Sequence, residues 1–122
     1  SPQETIALSA MYGANHFPGV RGIATHTEVG STPTLMSRLS SGLPIFALSR
    51  NAETLQRLSL CRGVIPLYFD VTAFDPQDIE SRTMEFLNDA GFITKGDHIL
   101  MTMGTLIGKA GATNSIKLLS IG

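Results

Sequence analysis

A chain of 122 residues, 43% hydrophobic and 16% charged, holds enough apolar material for one folded domain and too little charge for a disordered tail. Its formal charge is −1, and no basic block is present to neutralise the phosphates of a nucleic acid. The apolar runs are short of a membrane span and no signal-peptide pattern opens the chain; a lone Cys61 excludes an internal disulfide framework and fits a reducing, cytoplasmic compartment.

Taken in order, Ile6, Ala10, Gly13, Ala14 and Phe17 recur at helical spacing, a mostly small stripe that suits close approach to a sheet. Pro18-Gly19 breaks that helix, and "RGIATHT" reads as a short strand with Ile23 and Ala24. Thr32-Pro33 then reads as N-cap plus first helical position. Leu35, Met36 and Leu39 form the buried side of this second helix, which Gly42 stops. "LPIFALS" (43–49) has the near-continuous apolar pattern of a strand covered on both faces. Asn51 caps a third helix carrying Leu55, Leu58 and Leu60. Pro66 within the next strand, "GVIPLYF" (63–69), predicts a sheet edge or an irregularity.

Asp75 as cap and Pro76 as first residue open the clearest helix, with Ile79, Thr83, Phe86, Leu87 and Ala90 on one face. Gly91 ends it, and Leu87 and Phe92 are spaced for a Schellman contact. "DHILMTMG" (97–104) and "NSIKLLSI" (114–121) are the last strands, separated by too few residues for a helical crossover. The expected fold is a single domain over residues 1–122, a three-layer α/β/α sandwich. Its mixed five-stranded sheet has an antiparallel last strand.

Catalytic chemistry is missing from this pattern. His16, His26 and His98 are scattered, with no spacing suited to a metal, and read as surface or hydrogen-bonded structural residues. Cys61 precedes Arg62, which would favour its thiolate, yet a lone cysteine after a leucine-rich helix reads as a small packed residue. "GTLIGKA" (104–110) approaches a phosphate loop. It has three residues between Gly104 and Gly108 where four are required, Ala110 in place of the magnesium-binding hydroxyl, and a strand after it instead of a helix. Asp70, Asp75 and Asp78 read as turn and capping residues, and Glu53 and Glu80 as members of solvated faces.

Two polar, Gly-rich segments remain. Residues 27–32, with hydroxyls on Thr27, Ser31 and Thr32 beside Gly30, follow the first strand and enter a helix. "GKAGATN" (108–114) follows the fourth strand, and a parallel sheet puts both at one end. Helix N-termini at the carboxyl ends of strands favour anions, so the pair reads either as a phosphate cradle or as cap chemistry plus a hairpin turn.

The segments "ETIALSAMYGANHFPGV", "TEVGSTPTLMSR", "SSGLPIFALSR" and "ATNSIKLL" closely resemble the C-terminal domain of bacterial-type pyruvate kinases, in the same order from about Gln3 to Ile121. The resemblance implies an allosteric effector site and a subunit interface, with the catalytic barrel and lid domains absent from this chain. It implies a phosphorylated small-molecule effector, a sugar phosphate or AMP, held by Thr27, Glu28, Val29, Gly30, Ser31 and Thr32 together with Lys109, Gly111 and Thr113. Mg²⁺ and K⁺ would serve the full-length phosphotransferase, which moves phosphoryl from phosphoenolpyruvate to ADP in glycolysis, and would bind in the missing domains, leaving this domain with no cofactor and the fragment alone inactive. A homo-oligomer is implied as well, a tetramer for the full-length enzyme and a dimer for the fragment, using the edge strand 114–121. The usual family loop reads S-G-R-T where this chain has Val29-Gly30-Ser31-Thr32, so a hydroxyl and a guanidinium are gone. Hydrogen bonds to a charged group contribute about 1.5–3 kcal/mol each, so the loss of one weakens binding roughly tenfold to a hundredfold. Two other readings compete: a free-standing small-molecule binding module of the same fold, and an independent enzyme such as a phosphatase, which the missing base and metal ligands disfavour.

Overall fold

The computed structural model describes residues 2–39, 42–104 and 113–121. Helices α1 (Pro2–His16), α2 (Ser31–Leu39), α3 (Ala52–Leu58) and α4 (Ile79–Asp89) alternate with strands β1 (Val20–His26), β2 (Ile45–Ser49), β3 (Val64–Tyr68), β4 (His98–Gly104) and β5 (Thr113–Ser120). The strands form one five-stranded sheet in the order β3-β2-β1-β4-β5. Ile23 pairs with Ile45 and Leu100, and Phe46 with Ile65, all in parallel; β5 runs antiparallel to β4, with Leu100 opposite Leu118. The chain steps outward from β1 to β3 and then returns to lay β4 on the other side of β1. The β1–β4 seam is therefore where the strand order reverses.

Side chains alternate across the strands and build two cores. Ile23, Ile45, Ala47, Val64 and Leu100 meet Ala7, Ala10, Met11 and Ala14 of α1, Met36 of α2 and Leu58 of α3 on one face. Ala24, Phe46, Leu48, Ile99 and Met101 meet Ile79, Met84 and Leu87 of α4, with Phe69, Val71 and Ile93, on the other. The layers are helices, sheet and helix, as the sequence predicts. A β carbon on Gly13 would lie 2.9 Å from Leu100 Cδ1, so the small stripe of α1 does let this helix lie against the sheet.

Local chemistry sets most boundaries. Asn51 Oδ1 accepts from the N–H groups of Glu53 and Thr54 and starts α3. At the end of α4 the N–H of Phe92 donates to Leu87 O and that of Gly91 to Asn88 O, both at 3.0 Å, completing the Schellman pair. Pro66 sits in β3 at the sheet edge, where its missing N–H leaves the outer side without a donor.

Several expectations are corrected. Helix α2 begins at Ser31, so Thr32 is a buried helical residue and not the cap. Gly30 takes the cap position: its carbonyl accepts from the Thr34 N–H (3.1 Å) and from Thr34 Oγ1 (2.6 Å). Pro33 falls third in the helix, still within the first turn, where a missing N–H breaks no helical bond. Leu39 is exposed, since the buried side of α2 centres on Met36. Phe17 lies past the end of α1 and is exposed, packing edge-on against His98. Leu60 is 89% exposed because α3 closes at Leu58 and the chain turns through Leu60 N–H to Arg57 O. Asp75 makes no side-chain cap bond: a 3-10 turn over Pro76–Asp78 intervenes before α4, and Asp78 makes none either. Ala90 is exposed as the C-cap of α4. Glu80 is half-buried and meets Lys117 Nζ on β5 at 2.6 Å, so it does not belong to a solvated face.

Candidate functional site

The loop between β1 and α2 leaves the sheet at the reversal seam. Its turn is closed from within: Thr27 Oγ1 accepts from the Gly30 N–H at 2.7 Å, and the Thr27 N–H donates to Leu48 O at 2.9 Å. Gly30 has φ +89°, a left-handed conformation that side chains resist, and an added β carbon would meet Leu58 and Thr54 at 3.3–3.4 Å. No other residue fits this corner without strain.

Helix α3 and the residue before its cap brace the loop from one side. Thr54 Oγ1 donates to Glu28 O (2.7 Å), Arg57 Nη2 to Val29 O (3.1 Å), and Arg50 Nε to Glu28 Oε1 (3.1 Å). From the other side Gln3 Nε2 of α1 donates to Ser31 Oγ at 3.2 Å. The carboxylate of Glu28 is turned to Arg50, which offsets its repulsion of an anion at the same loop. Val29 is exposed at its side chain and held by its carbonyl.

The structure thus brings Thr27, Glu28, Val29, Gly30, Ser31 and Thr32 into one braced turn that opens α2. A helix start presents N–H groups outside its own ladder together with the positive end of its dipole, and here Ser31 and Thr32 occupy that first turn. The second loop is the connection from β4 to β5, and Gly104 is the register partner of Thr113 at the end of that antiparallel pair. Lys109 and Gly111 lie outside the described residues.

Sequence reasoning missed Arg50, Thr54 and Arg57, since a brace between two loops is a tertiary fact; the only local sign was that Asn51 puts the start of α3 at the same end of the sheet. It also placed no function on His26. That side chain is buried on the α4 side, with Nε2 2.9 Å from Thr83 Oγ1 and the ring edge-on to Phe69. Burial pushes its pKa down to about 4, so the ring is neutral at pH 7.

Among the described residues no three His, Cys, Asp or Glu side chains converge. Glu28 and Glu80 are paired with Arg50 and Lys117, and Asp70 is committed to the Thr72 N–H and hydroxyl, which hold its carboxyl below the usual range. Cys61 packs partly buried against the α1–α3 core. No helix among the described residues is long and apolar enough to cross a membrane.

Residues 4–119 match the family model described as pyruvate kinase, alpha/beta domain. The chain is 44% identical over 119 residues to pyruvate kinase II of Salmonella typhimurium, covering 98% of this chain and 25% of that protein. It is 47% identical over 102 residues to a pyruvate kinase of Haemophilus influenzae, covering 84% of this chain and 21% of that one. Against a pyruvate kinase of Thermotoga maritima it is 35% identical over 99 residues, covering 81% and 21%. The chain spans about a quarter of the length of these relatives or less. With this match running through the strands, the braced turn and the edge strand alike, the chain belongs to the pyruvate kinase family, as its C-terminal alpha/beta domain.

Proposed function

We propose that this domain is the regulatory and subunit-contact part of a pyruvate kinase, and that it takes a phosphorylated small effector, a sugar phosphate or AMP, at the start of α2. One observation carries the reading: the 27–30 turn is braced on two sides at the strand-order reversal, with a helix N-terminus as its open side. The donors are the backbone N–H groups of Ser31 and Thr32 and the Ser31 hydroxyl, with Thr27 shaping the turn; Lys109, Gly111 and Thr113 come from the second loop. Phosphoryl transfer from phosphoenolpyruvate to ADP belongs to further domains of the kinase, with Mg²⁺ and K⁺, and the 122-residue chain alone is inactive. The 1–122 stretch acts as one domain.

The same reading gives the domain a self-contact. β5 is an edge strand, Leu118 is part-exposed on it, and α1 packs beside it with Leu8 and Tyr12 exposed. An isologous contact would place these surfaces on both sides of a two-fold axis, as a dimer of this chain and a tetramer of the whole kinase.

Calorimetry with fructose bisphosphate, sugar monophosphates and AMP tests the site. Binding by one of them, tightened in the double variant Val29→Ser and Ser31→Arg, is the expected result. No heat with any of these, and no gain from that variant with its fold intact, would remove the loop from an effector role.

A further inference from the structure

His26 is the last residue of β1 and immediately precedes the turn. Its ring is nearly fully buried and sits on the opposite face of the sheet from Thr25 and Thr27. The bonds around it fix its protons. Thr83 Oγ1 donates its one proton to Ile79 O at 2.7 Å, so toward His26 it can only accept. Burial keeps the imidazole neutral at pH 7, so its single N–H lies on Nε2 and Nδ1 presents a bare lone pair. That Nδ1 is buried and has no hydrogen-bond partner among the described residues. A leucine in its place would leave no polar atom stranded, so a half-satisfied imidazole is an expensive choice for packing alone.

The bond is also a polar connection from the root of the turn to α4, across a face built mostly of apolar and aromatic side chains. α4 in turn carries Glu80, three residues before Thr83, whose carboxylate meets Lys117 on the edge strand. The turn on the α2 side has its own braces from α1 and α3, but these hold Glu28, Val29 and Ser31 and leave the end of β1 itself to the sheet and to His26.

We propose that His26 is a positioning residue whose Nε2–H bond to Thr83 latches the end of β1 to α4 and so holds the 27–30 turn in the shape that opens α2. The consequence for regulation rests on the effector reading above; the latch itself does not.

Nitrogen-15 NMR of the imidazoles in the 122-residue chain reads the latch directly. At neutral pH His26 should show a protonated Nε2 and an unprotonated Nδ1, and a proton on Nδ1 overturns the proposal with no variant needed. In Thr83→Val the slowly exchanging Nε2–H signal should vanish. Amide exchange of Thr27 and Gly30 should rise about tenfold while Ile45, bonded to Gly63 O at the far end of the sheet, keeps its rate. Thr83→Ser, which retains the oxygen, should restore both. Thr27 and Gly30 exchanging at wild-type rates in Thr83→Val would sink the latch. A parallel titration of the wild type with inorganic phosphate, followed at the Ser31 and Thr32 amides, judges the anion site separately from the latch.

Discussion

The two faces of the sheet solve the same packing problem with opposite materials. Under α1, α2 and α3 the core is largely small or slender, with Ala7, Ala10, Ala14 and Ala47 at the contacts, and three helices lie close. Under α4 a single helix must cover the sheet, and bulk fills the distance: Phe46 packs on Phe92, and Phe69 lies against Phe74, Phe86 and His26. Small residues let helices come to the sheet, whereas aromatic ones bring the core out to the helix. Buried threonines also differ in whether their hydroxyls are paired, and substitutions can separate that effect from bulk.

The largest expected loss is a cavity on the aromatic face. Leu87 is fully buried under α4 and contributes to the C-terminal cap of its own helix through its carbonyl. Leu87→Ala should cost about 2–5 kcal/mol in urea unfolding, with the slope unchanged. A loss under about 1 kcal/mol would mean that this face collapses around the gap, so that bulk is not what spaces α4 from the sheet.

Next comes acid. His26 has a folded pKa of about 4 against an ordinary 6.5, lowered by its burial; the charged groups Glu80, Arg82, Glu85 and Asp89 lie on α4 and Asp70 beyond β3. Above pH 6.5 both states are neutral and the full stability is present. Between 6.5 and 4 the unfolded chain takes up the proton first, so stability falls with pH, by on the order of 3 kcal/mol in all. Below 4 this residue adds no further slope. Stability measured across pH 4–7 in wild type and His26→Leu should differ by that slope, and parallel curves would place the ring in a more hydrated setting than its burial indicates.

A smaller loss tests the tightness of the aromatic face at its lower end. A β carbon on Gly22 would lie 2.8 Å from the Phe46 ring and 2.9 Å from the backbone oxygen of Pro44, which cannot step aside as a side chain can. Gly22→Ala should cost about 1–3 kcal/mol by overpacking. Thermal unfolding unchanged within error would show that β1 shifts freely at this point, where its register with β4 is already irregular.

Much of this arrangement was legible before any coordinates. Apolar runs at 43–49 and the Gly91–Phe92 signal read correctly because they depend on neighbours in sequence: LPIFALS is apolar throughout, and a Schellman cap is closed by residues within one turn. Misreadings at Phe17, Leu39 and Leu60 share a cause. Helical spacing says which residues line up, not where the helix stops or which neighbour arrives to cover the stripe. Thr32 was misplaced because the competing cap, Gly30 held by Thr27, draws on a bond across the turn that a cap-plus-proline pattern hides. The turn at 27–32 was visible as a polar segment between a strand and a helix, while residues 105–112 of the second loop lie outside the described residues. The braces of that turn were not visible, because Arg50 and Arg57 reach a loop 22 and 28 residues earlier in the chain.

The smallest effect is the most discriminating, since one substitution should change sign between the faces. Thr25 and Thr102 are register partners on β1 and β4, both 0% exposed, and among the described residues neither hydroxyl has a hydrogen-bond partner. Thr83, also 0% exposed, uses its hydroxyl twice, toward Ile79 O and His26. Valine keeps the shape of threonine and removes only the hydroxyl. An unpaired buried hydroxyl costs about 1–3 kcal/mol against a paired one, and its removal relieves part of that cost. Thr25→Val should therefore raise stability by about 1 kcal/mol, and Thr102→Val by a similar amount. Thr83→Val strands the His26 N–H instead and should lower stability by about 1–3 kcal/mol. Urea midpoints for the three variants at pH 7 decide the matter. Destabilisation by Thr25→Val as large as that by Thr83→Val would mean that the Thr25 hydroxyl is satisfied after all, and the contrast between the faces would reduce to one of bulk.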